Sequence, residues 1–174
     1  TDTNGLYGFV FYRQVCQEAG LIPIAGAEMV AVEGAERAVL LARGREGYRS
    51  LCRVITARHL DPAFSLAASV REHAAGLILL SEQRPLLTAL REAVPVHAEL
   101  VAGRGDRALS RWARGEGIPC VATNDVHFVR REGHGLHHTL RAIARNTTLD
   151  RVPREDLAEP ERRFLSAAEM AARF

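Results

Sequence analysis

Lysine is absent. All 23 basic residues of this 174-residue chain are arginine. They are scattered, which fits drift in a GC-rich genome better than selection for bidentate phosphate recognition. Only three cysteines are present, Cys16, Cys52 and Cys120, far apart and without a C-x-x-C pair. That excludes a disulfide framework and fits a reduced, cytoplasmic setting. Neither a signal peptide nor an apolar run of membrane length occurs, so no membrane contact is expected. Net charge is small, at +2. It argues neither for a nucleic-acid-coating surface nor against local binding.

What is there reads as an ordinary globular chain, 47% apolar and 25% charged, long enough for one domain with a real core. Thr1 to Gly5 resembles the exit of a strand. Leu6, Phe9, Val10, Val15 and Ala19 then recur at helical spacing, with Gly20 as a stop. Leu21 to Glu28 reads as a buried strand ending in a carboxylate, and Ala38 to Ala42 as another. The apolar spacing of Tyr48, Leu51, Cys52 and Ile55 predicts an amphipathic helix from Glu46 to Arg58. Helices over Ser65–His73, Pro85–Ala93 and Asp106–Glu116 alternate with strands over Gly76–Leu80 and Val96–Val101. The alternation with short connections predicts a parallel α/β fold, barrel or open sheet.

The chain is organised around Val121 to Phe128. An apolar run, Ile118 to Ala122, follows Gly117 and ends in polar residues, as a buried strand does at the rim of an α/β fold. Asp125 and His127 are two residues apart, so an extended backbone points both to one side, where they can share a divalent ion or simply pair with each other. His59, near a helix end, reads as a dipole-favoured cation or as a ligand. Beyond Phe128, Leu136, Leu140, Ile143 and Ala144 mark a helix that also carries His134, His137 and His138, a cluster that could hold a metal but is read here as a solvated polar face. Asp150 to Arg163 reads as loop. Ser166 with Glu169 forms a capping box opening a last helix to Phe174.

Several ordered blocks together carry a resemblance: Thr1 to Gly8, Ile24 to Glu28, Leu40 to Cys52, Ala122 to Phe128, Thr147 to Asp150 and Phe164 to Phe174. They are similar to the N-terminal PHP (polymerase and histidinol phosphatase) domain of bacterial DNA polymerase III alpha subunits. Gly26-Ala27-Glu28 and Thr3-Asn4-Gly5 lean toward the error-prone branch. The resemblance implies an incomplete or distorted β/α barrel of the PHP type over residues 1–146, with residues 147–174 a linker and helix leading toward a polymerase region. It implies a rim metal cluster to which Glu28, His59, Asp125 and His127 correspond. The opening H-x-H strand is missing, Thr3 stands at a histidine position and Gln83 at a cysteine or histidine position.

With four ligands at most, the expectation is one weakly held zinc or manganese ion rather than the multinuclear site that phosphoester hydrolysis needs. The polymerase reaction needs clustered carboxylates, and the six aspartates include no D-x-D. A scaffold in bacterial DNA replication or repair synthesis is therefore expected, with a residual phosphoesterase or 3′–5′ exonuclease as the alternative. The partners expected are the rest of a polymerase chain or other replication subunits, with DNA contacted only indirectly. Glu28, Asp125 and His127 are expected on one rim, and an unpaired sheet edge near Ile22 to Ala27.

Overall fold

A computed structural model describes residues 1–31, 34, 36–101 and 106–174, with Asp106 by its backbone alone. Among the described residues it is α/β, with six strands in one sheet in sequence order and seven α-helices, in keeping with the expected distorted PHP-type β/α fold. The chain divides into two compact units. The first is Thr1–Leu100 with Arg107–Val121, the second Val101–Asp106 with Ala122–Phe174.

In the first unit, β1 (Asp2–Thr3) runs parallel to β2 (Gly26–Val30) after helix α1 (Phe9–Glu18). The all-parallel expectation fails at β3 (Arg37–Ala42), which is antiparallel to both β2 and β4 (Leu77–Ser81). The reason is length. Only six residues separate β2 from β3, too few for the crossover that a parallel pair requires. Helices α2 (Gly44–Leu60) and α3 (Leu66–Glu72) then span the gap to β4. Helix α4 (Arg84–Leu90) carries the chain over to β5 (Val96–Val101), which is parallel to β4. Helix α5 (Asp106–Gly115) precedes β6 (Cys120–Thr123), last in the sheet order.

Strand alternation sorts the two faces of this sheet. Ala27, Met29, Ala38, Leu40, Leu77, Leu79, Val96 and Ala98 point to one face and are buried. Leu51 and Val54 of α2, Leu66 and Val70 of α3, and Leu87 and Leu90 of α4 close over them as one core. Each fully buried leucine or valine contributes roughly 1.5–3 kcal/mol. The residues between them, Glu28, Arg37 and Val39 among them, belong to the opposite face. Helix α2 reaches its depth through glycine. A Cβ on Gly47 would lie 2.1 Å from the Gly76 carbonyl oxygen, and Gly76 itself has φ +70°.

Three local expectations are corrected. Strand β2 starts at Gly26 rather than Leu21, because Pro23 has no N–H for a ladder, and Leu21, Ile22 and Ile24 are exposed. Helix α1 buries only Cys16, whereas Val10 and Val15 face solvent. β6 is not buried either: its residues alternate between exposed and half-buried, as suits a strand at the end of the sheet.

In the second unit, α6 (Gly133–Ala144) and α7 (Ala167–Ala171) are joined by two single 3-10 turns, Leu149–Arg151 and Arg154–Asp156. The capping box at Ser166 and Glu169 is present with both of its hydrogen bonds. Helix α6 is turned over relative to expectation. Leu136, Leu140 and Ile143 are exposed, while His134, His137 and His138 are half-buried. Hydrogen bonding explains it. His137 Nε2 accepts from the Ala158 N–H at 3.0 Å, and His138 Nε2 donates to the Leu149 carbonyl at 2.9 Å. The imidazoles supply bonds that the backbone of an irregular segment needs and leucine cannot give.

Candidate functional site

Glu28 sits mid-strand in β2, half-buried on the face away from the core. Both carboxylate oxygens are engaged within the protein. Oε1 accepts from Nε and Nη2 of Arg37, and Oε2 accepts from Thr3 Oγ1 at 2.7 Å. His59 lies one residue before the end of α2 and is exposed. Its Nε2 donates to the Asn4 carbonyl at 2.7 Å, and the Asn4 N–H donates to the Glu28 carbonyl at 2.7 Å. The backbone of Asn4 thus links the two positions, although neither side chain reaches the other through it.

Asp125 and His127 do meet, with His127 Nε2 3.5 Å from Asp125 Oδ1. The route differs from the extended strand that the sequence suggests. β6 ends at Thr123, and Asp125 has φ +46°, so a turn rather than β alternation brings the pair together. Aspartate tolerates that conformation better than most residues, because its short side chain can bond locally.

The turn is held by neighbours that the sequence reading passed over. Asn124 is 5% exposed. Its Nδ2 donates to the carbonyls of Glu161 at 2.8 Å and Arg163 at 2.7 Å, and its Oδ1 accepts from Arg173 Nη1 at 2.6 Å. The His127 N–H donates to the Arg162 carbonyl and the Phe164 N–H to the Phe128 carbonyl, forming a parallel bridge between Phe128 and Arg163. Residues 161–163, expected as loop, together with Phe164 are therefore the partner of the Asp125–Phe128 segment.

Around His127 the second unit forms a groove of about 550 Å³, lined by Phe128, Val129, Leu136, His137 and Leu140 among others. The His127 and His137 rings stand edge to face with centroids 5.2 Å apart. Burial, reinforced by the nearby positive charge of His127 and Arg141, holds His137 below the ordinary imidazole range. A neutral ring suits its role as acceptor from Ala158.

The PHP domain pattern matches residues 1–114, well over half of the chain. The chain belongs to the PHP domain family. As a PHP domain it has polymerase relatives over nearly its whole length. It is 33% identical over 197 aligned residues to the error-prone DNA polymerase of Anaeromyxobacter sp. (strain K), covering 98% of this chain and 17% of that one. It is 32% identical over 216 to the error-prone DNA polymerase of Symbiobacterium thermophilum, covering 98% and 20%. It is 31% identical over 193 to the DNA polymerase III subunit alpha of Thermus aquaticus, covering 86% and 16%. The chain thus spans about a fifth or less of the length of these relatives.

PHP domains commonly bind metals, and the donors of this chain bear on whether they fit one. Glu28 is closed by a guanidinium and a hydroxyl, and His59 by a carbonyl. Among the described residues, neither unit gathers three or more His, Cys, Asp or Glu side chains that could hold an ion. The donor set of the first unit does not fit a metal cluster. The sequence reading missed Arg37, although an arginine opening the otherwise apolar Arg37–Ala42 strand was a visible signal.

Proposed function

We propose that this PHP domain is a scaffold within a DNA polymerase III alpha-like protein of bacterial DNA replication or repair synthesis, and that it performs no phosphoester hydrolysis. The observation carrying this reading is the closure of Glu28. A hydrolytic site holds two ions a few ångströms apart, one producing hydroxide and the other stabilising the leaving oxygen. A carboxylate whose one oxygen is taken by a fixed guanidinium and whose other already accepts from threonine offers an ion little beyond one remaining lone pair, beside a positive charge, and cannot bridge two ions. The scaffold work falls to the core built on β2, β3, β4 and β5, and to the network by which Asn124 binds the chain at Glu161 and Arg163. Its partners on this reading are the remainder of a polymerase chain or other replication subunits, in the cytoplasm, with DNA reached only through them.

A residual metal-dependent phosphoesterase or exonuclease keeps one supporting observation, the approach of Asp125 and His127 beside a groove. Two such ligands suit a single exchangeable zinc or manganese ion. The test is a manganese-supplemented assay on p-nitrophenyl phosphate and on labelled single-stranded DNA, with His127→Ala alongside. The scaffold reading expects background rates for both proteins. Turnover that the substitution removes would overturn it.

A further inference from the structure

The strand register puts Arg37 beside Glu28 by design of the sheet. Glu28 lies opposite Val39 in the antiparallel β2–β3 pair, so Arg37, two residues before Val39, is its diagonal neighbour on the same face. Both Nε and Nη2 of Arg37 turn to Glu28 Oε1, while Nη1 lies 3.5 Å from Glu82 Oε1. One guanidinium thus serves two carboxylates.

The arginine is also fixed at its backbone. Its N–H donates to Gln83 Oε1 at 3.1 Å, and its carbonyl accepts from Ser81 Oγ at 2.8 Å. Ser81 is 2% exposed, and its Oγ in turn accepts from the Gln83 N–H at 3.1 Å. Thr3 completes the arrangement from β1 through the other oxygen of Glu28. Five side chains, those of Glu28, Glu82, Ser81, Gln83 and Thr3, from three strands and the residues leading into α4, therefore hold one cation at one place. The guanidinium cannot lose its charge in a protein, and a planar fork loses little freedom on binding a carboxylate. A divalent ion entering at Glu28 meets that fixed positive charge and two oxygens already bonded.

We infer that Arg37 is the resident cation of this face, that it excludes divalent ions from Glu28, and that Gln83 and Thr3 act as positioning residues for the pair. The inference deepens the scaffold reading, since it states why the first unit needs no metal, but it is tested by binding rather than by turnover.

The experiment is titration of the 174-residue protein with Mn²⁺, followed by the resonance signal of the free ion, for wild type, Glu28→Gln, Arg37→Met and the double variant. In wild type, Glu28→Gln is expected to leave Mn²⁺ affinity unchanged, because any ion held elsewhere does not use Glu28. Arg37→Met is expected to raise affinity about tenfold, since removal of a like charge frees a carboxylate. The double variant is expected to lose that gain. Weaker Mn²⁺ binding in Glu28→Gln alone would overturn the inference, as would a folded Arg37→Met protein with wild-type affinity. Should Arg37→Met not fold, the comparison of wild type with Glu28→Gln decides by itself. Manganese-dependent turnover with Glu28-independent binding would sink the scaffold reading and leave this inference standing.

Discussion

Asn124 ties three other positions of the second unit together. It bonds two carbonyls and one guanidinium from a position almost fully buried. Replacing it with alanine takes this donor from the carbonyls of half-buried Glu161 and Arg163, at a cost of up to roughly 1–3 kcal/mol per group left unsatisfied. Asn124→Ala is expected to raise amide exchange across residues 161–164, and unchanged protection there would contradict this role. Asp125 beside it was legible as a functional candidate because a carboxylate two residues from an imidazole is visible in the sequence. Its left-handed backbone was not, since φ at a non-glycine residue follows from the bonds its neighbours make. Arg37 went unread for a related reason. An ion pair between strands depends on register, and register emerges only when β2 and β3 pair.

At the scale of elements, α2 shows local sequence and structure in agreement. Tyr48, Leu51, Cys52 and Ile55 gave its period, and the observed helix extends two residues further at each end. Its approach to the sheet depends on Gly47 against Gly76, so Gly47→Ala forces backbone apart and is expected to cost about 1–3 kcal/mol, as overpacking does. Chemical denaturation measures it, and a midpoint equal to wild type would refute the close contact. Helix α6 shows the opposite case, because its period was right and its orientation was not. Periodicity finds two faces, but which one turns inward depended on the carbonyl of Leu149 and the N–H of Ala158, far along the chain.

Helix α7 and the turn before it respond to acid. Hydrogen bonding from Arg163, then from Ser166, lowers the Glu169 carboxyl to about 2, and hydrogen bonding from Arg145 lowers that of Asp156. A carboxyl with a depressed folded pKa stabilises above its unfolded value and loses that contribution as pH falls through the folded one. Circular dichroism should therefore show C-terminal helix loss between about pH 4.5 and 2, with Glu169→Ala already frayed at neutral pH. Helix content unaffected by that substitution would contradict the assignment.

For the whole molecule, the fold class was readable because apolar runs and short connections alternate from Leu6 to Val121, and that pattern admits few architectures. The antiparallel β3 and the depth of the sheet edges were not, being decided by connection length and by which strand stands last. β1, at the start of the sheet order, is two residues long, and Ile22 and Ile24 stand exposed near β2. The unpaired edge expected near Ile22 to Ala27 is not found, because β2 is paired with both β1 and β3. A very short edge strand limits pairing, so association is left to the exposed apolar side chains. Sedimentation velocity on this chain is expected to show self-association that grows with concentration, and a monomer at every concentration would contradict it.

The central claim is that the domain contributes its core and not a catalytic site. It is tested most directly by primer extension with a polymerase polypeptide carrying this domain, measured before and after mild heating. The account predicts that His127→Ala retains wild-type extension and heat resistance. It predicts that Leu51→Ala, a core truncation costing roughly 2–5 kcal/mol, loses activity on heating. A folded His127→Ala polymerase with impaired extension, alongside an unaffected Leu51→Ala, would contradict it.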